Sequence, residues 1–230
     1  MKKYFFLFFI IIFSSNSFLD TEVEEFVNSQ HNEIFNFLNN NQDLFDSDKD
    51  KFLNEFEVRF SRLIPPEEIS KRVMGKRLFT AATKKQILKF NEKFKSTLLD
   101  SYSGALSSVD AANISIESHF HPNERMDLAV VQLNTDFSGR KFKLIYKMKK
   151  IQVEDRKDWR VVGIVLDGID IVSLYRKQFA SLVKENDDNL NLNLEVEHRV
   201  GVHLVGATAV QKIRKSAPRT GAIAVLKCII

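Results

Sequence analysis

From Leu19 to Leu38 the apolar side chains Val23, Phe26, Val27, Ile34 and Phe35 recur at helical spacing, so one face of a helix is buried. Asn39, Asn40 and Asn41 interrupt the pattern. A second stripe of Leu53, Phe56, Phe60 and Leu63 runs from Asp50 onward. It stops at Pro65-Pro66, because proline lacks the N–H and restricts the residue before it. Glu67, Glu68, Ile69 and Val73 predict a short third helix with its acids at the positive end of the dipole, closed by Gly75. The fourth helix has the clearest start: Thr83 and Gln86 fit a capping box. Ile87, Phe90, Phe94, Leu98, Tyr102 and Ala105 then mark one face, while Lys84, Lys85, Lys89, Lys93 and Lys95 occupy much of the rest. Glu92 and Asp100 break up that basic face, so it reads as solvated rather than as a membrane-surface helix.

The period then changes from helical to alternating. Asn113–Phe120 places Ile114, Ile116, Ser118 and Phe120 against polar residues, and Asp127–Asn134 forms a second strand. A turn at Phe137-Ser138-Gly139-Arg140 leads into a third strand, where Phe142, Leu144, Tyr146 and Met148 alternate with lysines. One face of such a strand is buried and the other wet. Residues 152–158 read as a charged loop, and Trp159–Leu166 as a fourth strand, apolar on both faces and therefore expected to be central. The turn at Asp167-Gly168 passes into a last helix with Tyr175, Phe179 and Leu182 on one face. Helices followed by a run of strands predict an α+β fold: N-terminal helices on a four-stranded twisted antiparallel sheet, followed by a C-terminal helix.

The ends differ from this middle. Met1-Lys2-Lys3 is followed by an apolar run from Tyr4 to Phe13 and then by the small residues Ser15-Asn16-Ser17, the pattern of a cleaved secretory signal peptide. A transmembrane helix needs about 20 apolar residues, and this run is shorter. Residues 1–17 are therefore set apart from an exported domain expected over 18–200. Residues 201–230 hold Lys212, Arg214, Lys215, Arg219 and Lys227 but no acid, Phe or Asn, and read as a compositionally distinct basic tail. The chain carries 34 Lys and Arg against 30 Asp and Glu. Removing two positives at the start and five in the tail leaves 27 against 30, a net of −3 for the middle. The basic character thus belongs to the ends, and a nucleic-acid partner is not expected. Cys228 is the single cysteine, so no internal disulfide forms and the domain is held by its core alone.

Candidate chemistry is sparse. Glu117, His119 and His121 alternate along the first strand, so a regular strand would set all three on one face, opposite Ile116 and Phe120. Two histidines at this spacing suit zinc or copper, but no further ligand accompanies them, and an exposed edge cluster is the expectation. Asp167 and Asp170 flank a tight turn, where acids are common without catalysis. Ser173 reads as a helix cap. No nucleophile elbow or phosphate-cradling glycine loop is present. The expectation is a protein without catalytic residues, metal or cofactor.

Several landmarks recur in one order: Leu63-Ile64-Pro65, then Val73-Met74-Gly75-Lys76, then Ala82-Thr83-Lys84-Lys85-Gln86 with Phe90, Phe94, Leu98, Tyr102 and Leu106. Leu144-Ile145-Tyr146 follows, and Trp159 to Phe179 closes the series. Over about residues 20–195 this resembles the MlaC-type, or toluene-tolerance, family of periplasmic phospholipid carriers. Gly163 and Asp170 depart from it, standing where the family usually has aspartate and often serine, and Leu174 takes a usually polar place. The resemblance implies an apolar pocket closed by the C-terminal helix, with a phospholipid bound by Val73, Phe94, Leu98, Tyr102, Leu144, Tyr146, Val161, Tyr175 and Arg176; Arg176, beside Tyr175, reads either as a contact to the lipid phosphate or as a surface ion-pair partner. The resemblance also implies a monomer that meets an inner-membrane ATP-driven lipid transport complex and an outer-membrane lipoprotein–porin complex, maintaining outer-membrane lipid asymmetry. A module for another apolar ligand is the alternative; a metal-binding protein or a hydrolase is more distant.

Overall fold

The computed structural model describes residues 21–106, 113–137 and 140–185, with side chains over 21–96, 114–135 and 141–185. The expected signal peptide at 1–17 and the basic tail at 201–230 lie outside the described residues. Among the described residues, no helix is long and apolar enough to cross a membrane.

Helix α1 (Glu22–Asn40) follows the first stripe and buries Val23, Val27, Ile34 and Leu38. A short helix absent from the sequence pattern, α2 (Gln42–Ser47), comes next; it buries no residue, so it has no stripe to read. Helix α3 (Lys49–Leu63) is capped by Asp48, whose side chain accepts from the Lys51 N–H at 3.0 Å. Phe52 and Phe56 are its buried anchors, and Phe52 meets Phe37 of α1 at 5.1 Å and Phe45 of α2 edge-on at 5.2 Å. Each such ring contributes about 1.5–3 kcal/mol by leaving water.

Helix α4 (Pro66–Ala81) corrects the expectation of an end at Gly75. The chain breaks there (φ 72°, ψ 162°) and then resumes helical geometry to Ala81. This region of backbone space is open essentially to glycine alone. Gly75→Ala should therefore destabilise the protein by about 1–3 kcal/mol, read as a lowered urea midpoint with an unchanged slope. The space itself is not the obstacle, since an added Cβ would lie 3.8 Å from the Arg176 side chain. Helix α5 (Lys84–Leu106) starts as expected: the Gln86 side chain accepts from the Thr83 N–H at 2.9 Å, and the Gln86 N–H donates to the Thr83 hydroxyl at 3.3 Å.

The sheet has five strands, not four, all antiparallel in the order β1-β2-β3-β4-β5: β1 (Asn113–Phe120), β2 (Leu128–Phe137), β3 (Arg140–Val153), β4 (Arg156–Leu166) and β5 (Ile169–Asp170). The fifth is two residues long, too short to give an alternation. Helix α6 (Ile171–Glu185) follows directly. The expected loop at 152–158 is instead a tight hairpin, with β3 and β4 paired out to Val153 and Arg156 and a left-handed Glu154 (φ 51°) at its tip. Arg156, Lys157 and Asp158 sit on paired strand, and only Glu154 and Asp155 are in the turn.

β4 is not central. It lies between β3 and the short β5. Its apolar character has another cause: α3, α4 and α6 all pack on it. β1 also departs from regular alternation. Ile116 pairs with Leu133 and Ser118 with Gln132, so Glu117 is an extra, bulged residue. The bulge turns the rest of the strand over. Phe120, expected on the apolar face, is 49% exposed. His119 and His121, expected at an exposed edge with Glu117, are part-buried instead. His119 donates to Glu24 of α1 at 2.6 Å, His121 donates to the Leu128 carbonyl at 2.6 Å, and Glu117 alone stays outside, 3.7 Å from Lys143.

Candidate functional site

Two groups of the expected site residues come together around α5, α6 and the sheet. On the helices, Phe90 and Phe94 stack at 5.8 Å, Phe90 meets Phe179 at 4.8 Å, and Phe94 meets Tyr175 edge-on at 5.5 Å. Phe90, Phe94 and Phe179 are buried, while Tyr175 is half-buried at the margin. This aromatic seam joins α5 to α6. Leu98 and Tyr102 continue along α5, but their side chains lie outside the described residues.

On the sheet, Leu144 pairs with Leu166, Tyr146 with Ile164 and Met148 with Val161. Leu144, Tyr146 and Val161 are wholly buried. Trp159 lies two residues before Val161 and shares its face by the regular pairing of this part of β4. A bulge at Val162 follows, between the Met148–Val161 and Lys147–Gly163 pairs. Val73 of α4 is also buried in the core.

One polar pair stands in this apolar interior. His31 of α1 is hydrogen-bonded through Nε2 to the Tyr146 hydroxyl at 3.1 Å, with the rings 5.7 Å apart and edge-on. Burial drives the His31 pKa down to about 4, so at neutral pH it is an uncharged hydrogen-bonding partner. Its position was legible in principle: it falls on the buried face that carries Val23, Val27 and Ile34, and only its polarity hid it.

Arg176 is exposed on α6, and its Nε donates to the Arg72 carbonyl of α4 at 2.6 Å. It docks beside the break at Gly75, and among the described residues it forms no ion pair. Ser173 is not the cap of α6. Its backbone N–H donates to Asp170 Oδ1 at 2.8 Å, which makes Asp170 the cap. Burial alone would raise the Asp170 pKa, but the Lys147 ammonium at 2.6 Å and the bond from Ser173 together hold it below the usual carboxylate range. Asp167, in a left-handed conformation, accepts from the Lys143 N–H at 2.9 Å. Both acids are therefore bound into the turn from sheet to helix.

The comparisons with known proteins bear on the same span. The MlaC protein family model matches residues 28–195. The chain belongs to the MlaC family. The match ends before the basic tail. The toluene tolerance protein ttg2D of Pseudomonas putida is 24% identical over 163 residues, covering 71% of this chain and 74% of that protein. A phospholipid-binding protein from Ralstonia solanacearum, solved in complex with a phospholipid, has the same fold, with a TM-score of 0.57 and 18% identity. The alignment covers 76% of this chain and 96% of that one.

Within this MlaC chain the departures at Gly163 and Asp170 fit together. The Lys147 stem lies over Gly163, where an added Cβ would come within 3.0 Å of its Cδ. Its ammonium then reaches Asp170. Lys147 thus links the two positions, its stem covering Gly163 and its ammonium pairing with Asp170.

Proposed function

We propose that this protein is a non-catalytic periplasmic carrier that shuttles phospholipid between inner and outer membranes and maintains outer-membrane lipid asymmetry. The observation that carries the reading is family membership over 28–195, in a fold shared with a protein solved in complex with a phospholipid. Physical chemistry gives the role its purpose. Exposing an acyl chain costs about 0.8 kcal/mol per CH₂, so two chains of about sixteen carbons cost on the order of 20 kcal/mol in water. A lipid crosses an aqueous compartment at a useful rate only if its chains stay covered.

The chains would sit between α5, the sheet and α6, against Phe94, Leu98, Tyr102, Leu144, Tyr146 and Val161. The half-buried Tyr175 stands at the margin of the aromatic seam, a place for entry. Because Leu144, Tyr146 and Val161 are wholly covered, room for chains at the sheet opens by parting α5 and α6 rather than by filling a standing void there. The partners under this reading are an ATP-driven transport complex in the inner membrane and a lipoprotein–porin complex in the outer membrane, met by a monomer.

Native mass spectrometry of the purified protein, followed by lipid extraction, tests the reading. A mass increment that yields phospholipid on extraction is the expected result. An increment from a different apolar molecule would move the function to another ligand, and a protein that neither carries nor takes up lipid from vesicles would remove the carrier role. Arg176 is the proposed phosphate contact at the mouth. Arg176→Glu should lower the retained lipid without unfolding the protein. If the side chain serves only to hold α6 to the Arg72 carbonyl, lipid occupancy stays at the wild-type level.

A further inference from the structure

A cavity lies away from the aromatic seam. It occupies about 690 Å³ under the β3–β4 hairpin, between α1, α3 and β4, within the size range of small-ligand sites. Seven of its nine lining side chains are polar or charged, and only Phe26 and Val153 are apolar, so it does not suit acyl chains.

Its chemistry is unbalanced at the floor. The Arg160 side chain is 10% exposed, with its guanidinium 5.6 Å from the Phe26 ring. Nη1 donates to the Trp159 carbonyl at 2.6 Å, and Nη2 lies 3.7 Å from Asp158, beyond hydrogen-bond reach. Asp158 is shared: Arg156 Nε donates to it at 3.1 Å. Two guanidiniums therefore face one carboxylate. Burial lowers the Arg160 pKa against the pull of Asp158, and Arg156 lowers it further. A desolvated cation with a shared, distant counter-charge has capacity left for an anion.

The cavity also holds an unmet polar group. Gln30 Oε1 of α1 is buried with no hydrogen-bond partner among the described residues. An amide turned about its last torsion presents Nε2 in the same place, so this side chain can donate to an anion. Arg62 of α3 lines the cavity too, joined to Glu33 at 2.7 Å. Donors therefore reach the cavity from three separate elements, and a guanidinium fork pairs the oxygens of a phosphate. At the hairpin tip the exposed Glu154 and Asp155 add negative charge. They disfavour a multiply charged anion and favour one accompanied by an amine or hydroxyl.

We propose that this cavity is a binding site for a phosphate ester, anchored by Arg160 and Gln30 and distinct from the acyl-chain seam. The phosphate belongs either to a lipid headgroup or to a free soluble ester. Isothermal titration of the purified protein with inorganic phosphate and with glycerophosphoethanolamine separates the two. Saturable binding of at least one probe is expected, weakened roughly tenfold or more in Arg160→Gln and in Gln30→Leu. Comparable binding of both probes points to free phosphate compounds. Preference for glycerophosphoethanolamine points to a headgroup. Gln30→Leu removes an unpaired buried amide, so its melting temperature should not fall, and it keeps the test valid if Arg160→Gln fails to fold. Absence of saturable binding by wild type, or a Gln30→Leu protein that binds both probes as tightly as wild type, overturns the proposal. Loss of co-purified lipid plays no part in this outcome, so the carrier reading stands or falls separately.

Discussion

Val161→Trp should yield a folded protein that carries little or no lipid. Val161 is wholly buried, faces Met148 across the β3–β4 pair, and shares its face with Trp159. Indole bulk at this position has to push into neighbours that are themselves covered, and overpacking of that kind costs about 1–3 kcal/mol. A domain of this size tolerates such a loss and remains folded. The effect on lipid is larger, because the proposed chains need the same side chains to part and the indole already occupies the space they would take. Comparing co-purified lipid per protein by native mass spectrometry with the urea midpoint separates the two effects. Val161→Ala serves as the control: it leaves space rather than filling it, so it should lose stability while keeping lipid. Wild-type lipid occupancy in Val161→Trp would place the acyl chains elsewhere and leave the seam at Phe94 and Tyr175 as the remaining site.

The elements with a buried stripe were legible, and those without one were not. α1, α3 and α5 announce themselves through Val23, Phe56 and Phe90, each on a repeating apolar face that the structure buries. α2 has no buried residue and left no periodic trace. The third helix looked finished at Gly75 because glycine usually closes a helix; here it breaks one that resumes, since α4 packs on both α5 and α6 and needs the change of direction. β4 looked central because it is apolar on both faces, but period alone does not distinguish neighbouring strands from covering helices. The β1 bulge was invisible for a sharper reason. One extra residue at Glu117 reverses every later side chain, and no local composition marks it.

The site was legible only in part for the same reasons. Phe94, Leu144, Tyr146 and Val161 follow from alternation and helical stripes, and the structure covers all four. Arg176 drew attention through its place beside Tyr175, yet its bond to a carbonyl in α4 depends on a contact 104 residues away in sequence. Arg160 and Gln30 could not be singled out, because what marks them is lost solvent and a missing partner. Those are properties of assembly among α1, α3 and β4, and no window of sequence contains them.

Acidification from pH 6.5 to about 4 should remove about 3 kcal/mol of stability through His31 alone. The imidazole is buried against Tyr146 and Phe35, and burial lowers its pKa from 6.5 to about 4. Within that window the unfolded chain binds the proton and the folded protein does not. Stability therefore falls as pH falls, by about 1.4 kcal/mol per unit, and the loss ceases below about pH 4, where both states are protonated. Asp170 acts at lower pH: its folded pKa lies below 3.8, so its contribution is present above that value and is lost only beneath it. His31→Gln retains an amide able to hydrogen-bond the Tyr146 hydroxyl but carries no titrating group. It should be less stable than wild type at pH 7, because a shaped ring is lost from the core. Between pH 6.5 and 4.5 its urea midpoint should decline less steeply, and the two curves should converge. Every other ionisable group is common to both proteins, so the difference between the curves isolates His31. Parallel curves would mean that the folded protein takes up the proton as readily as the unfolded chain, with the pair opening to water before the fold is lost.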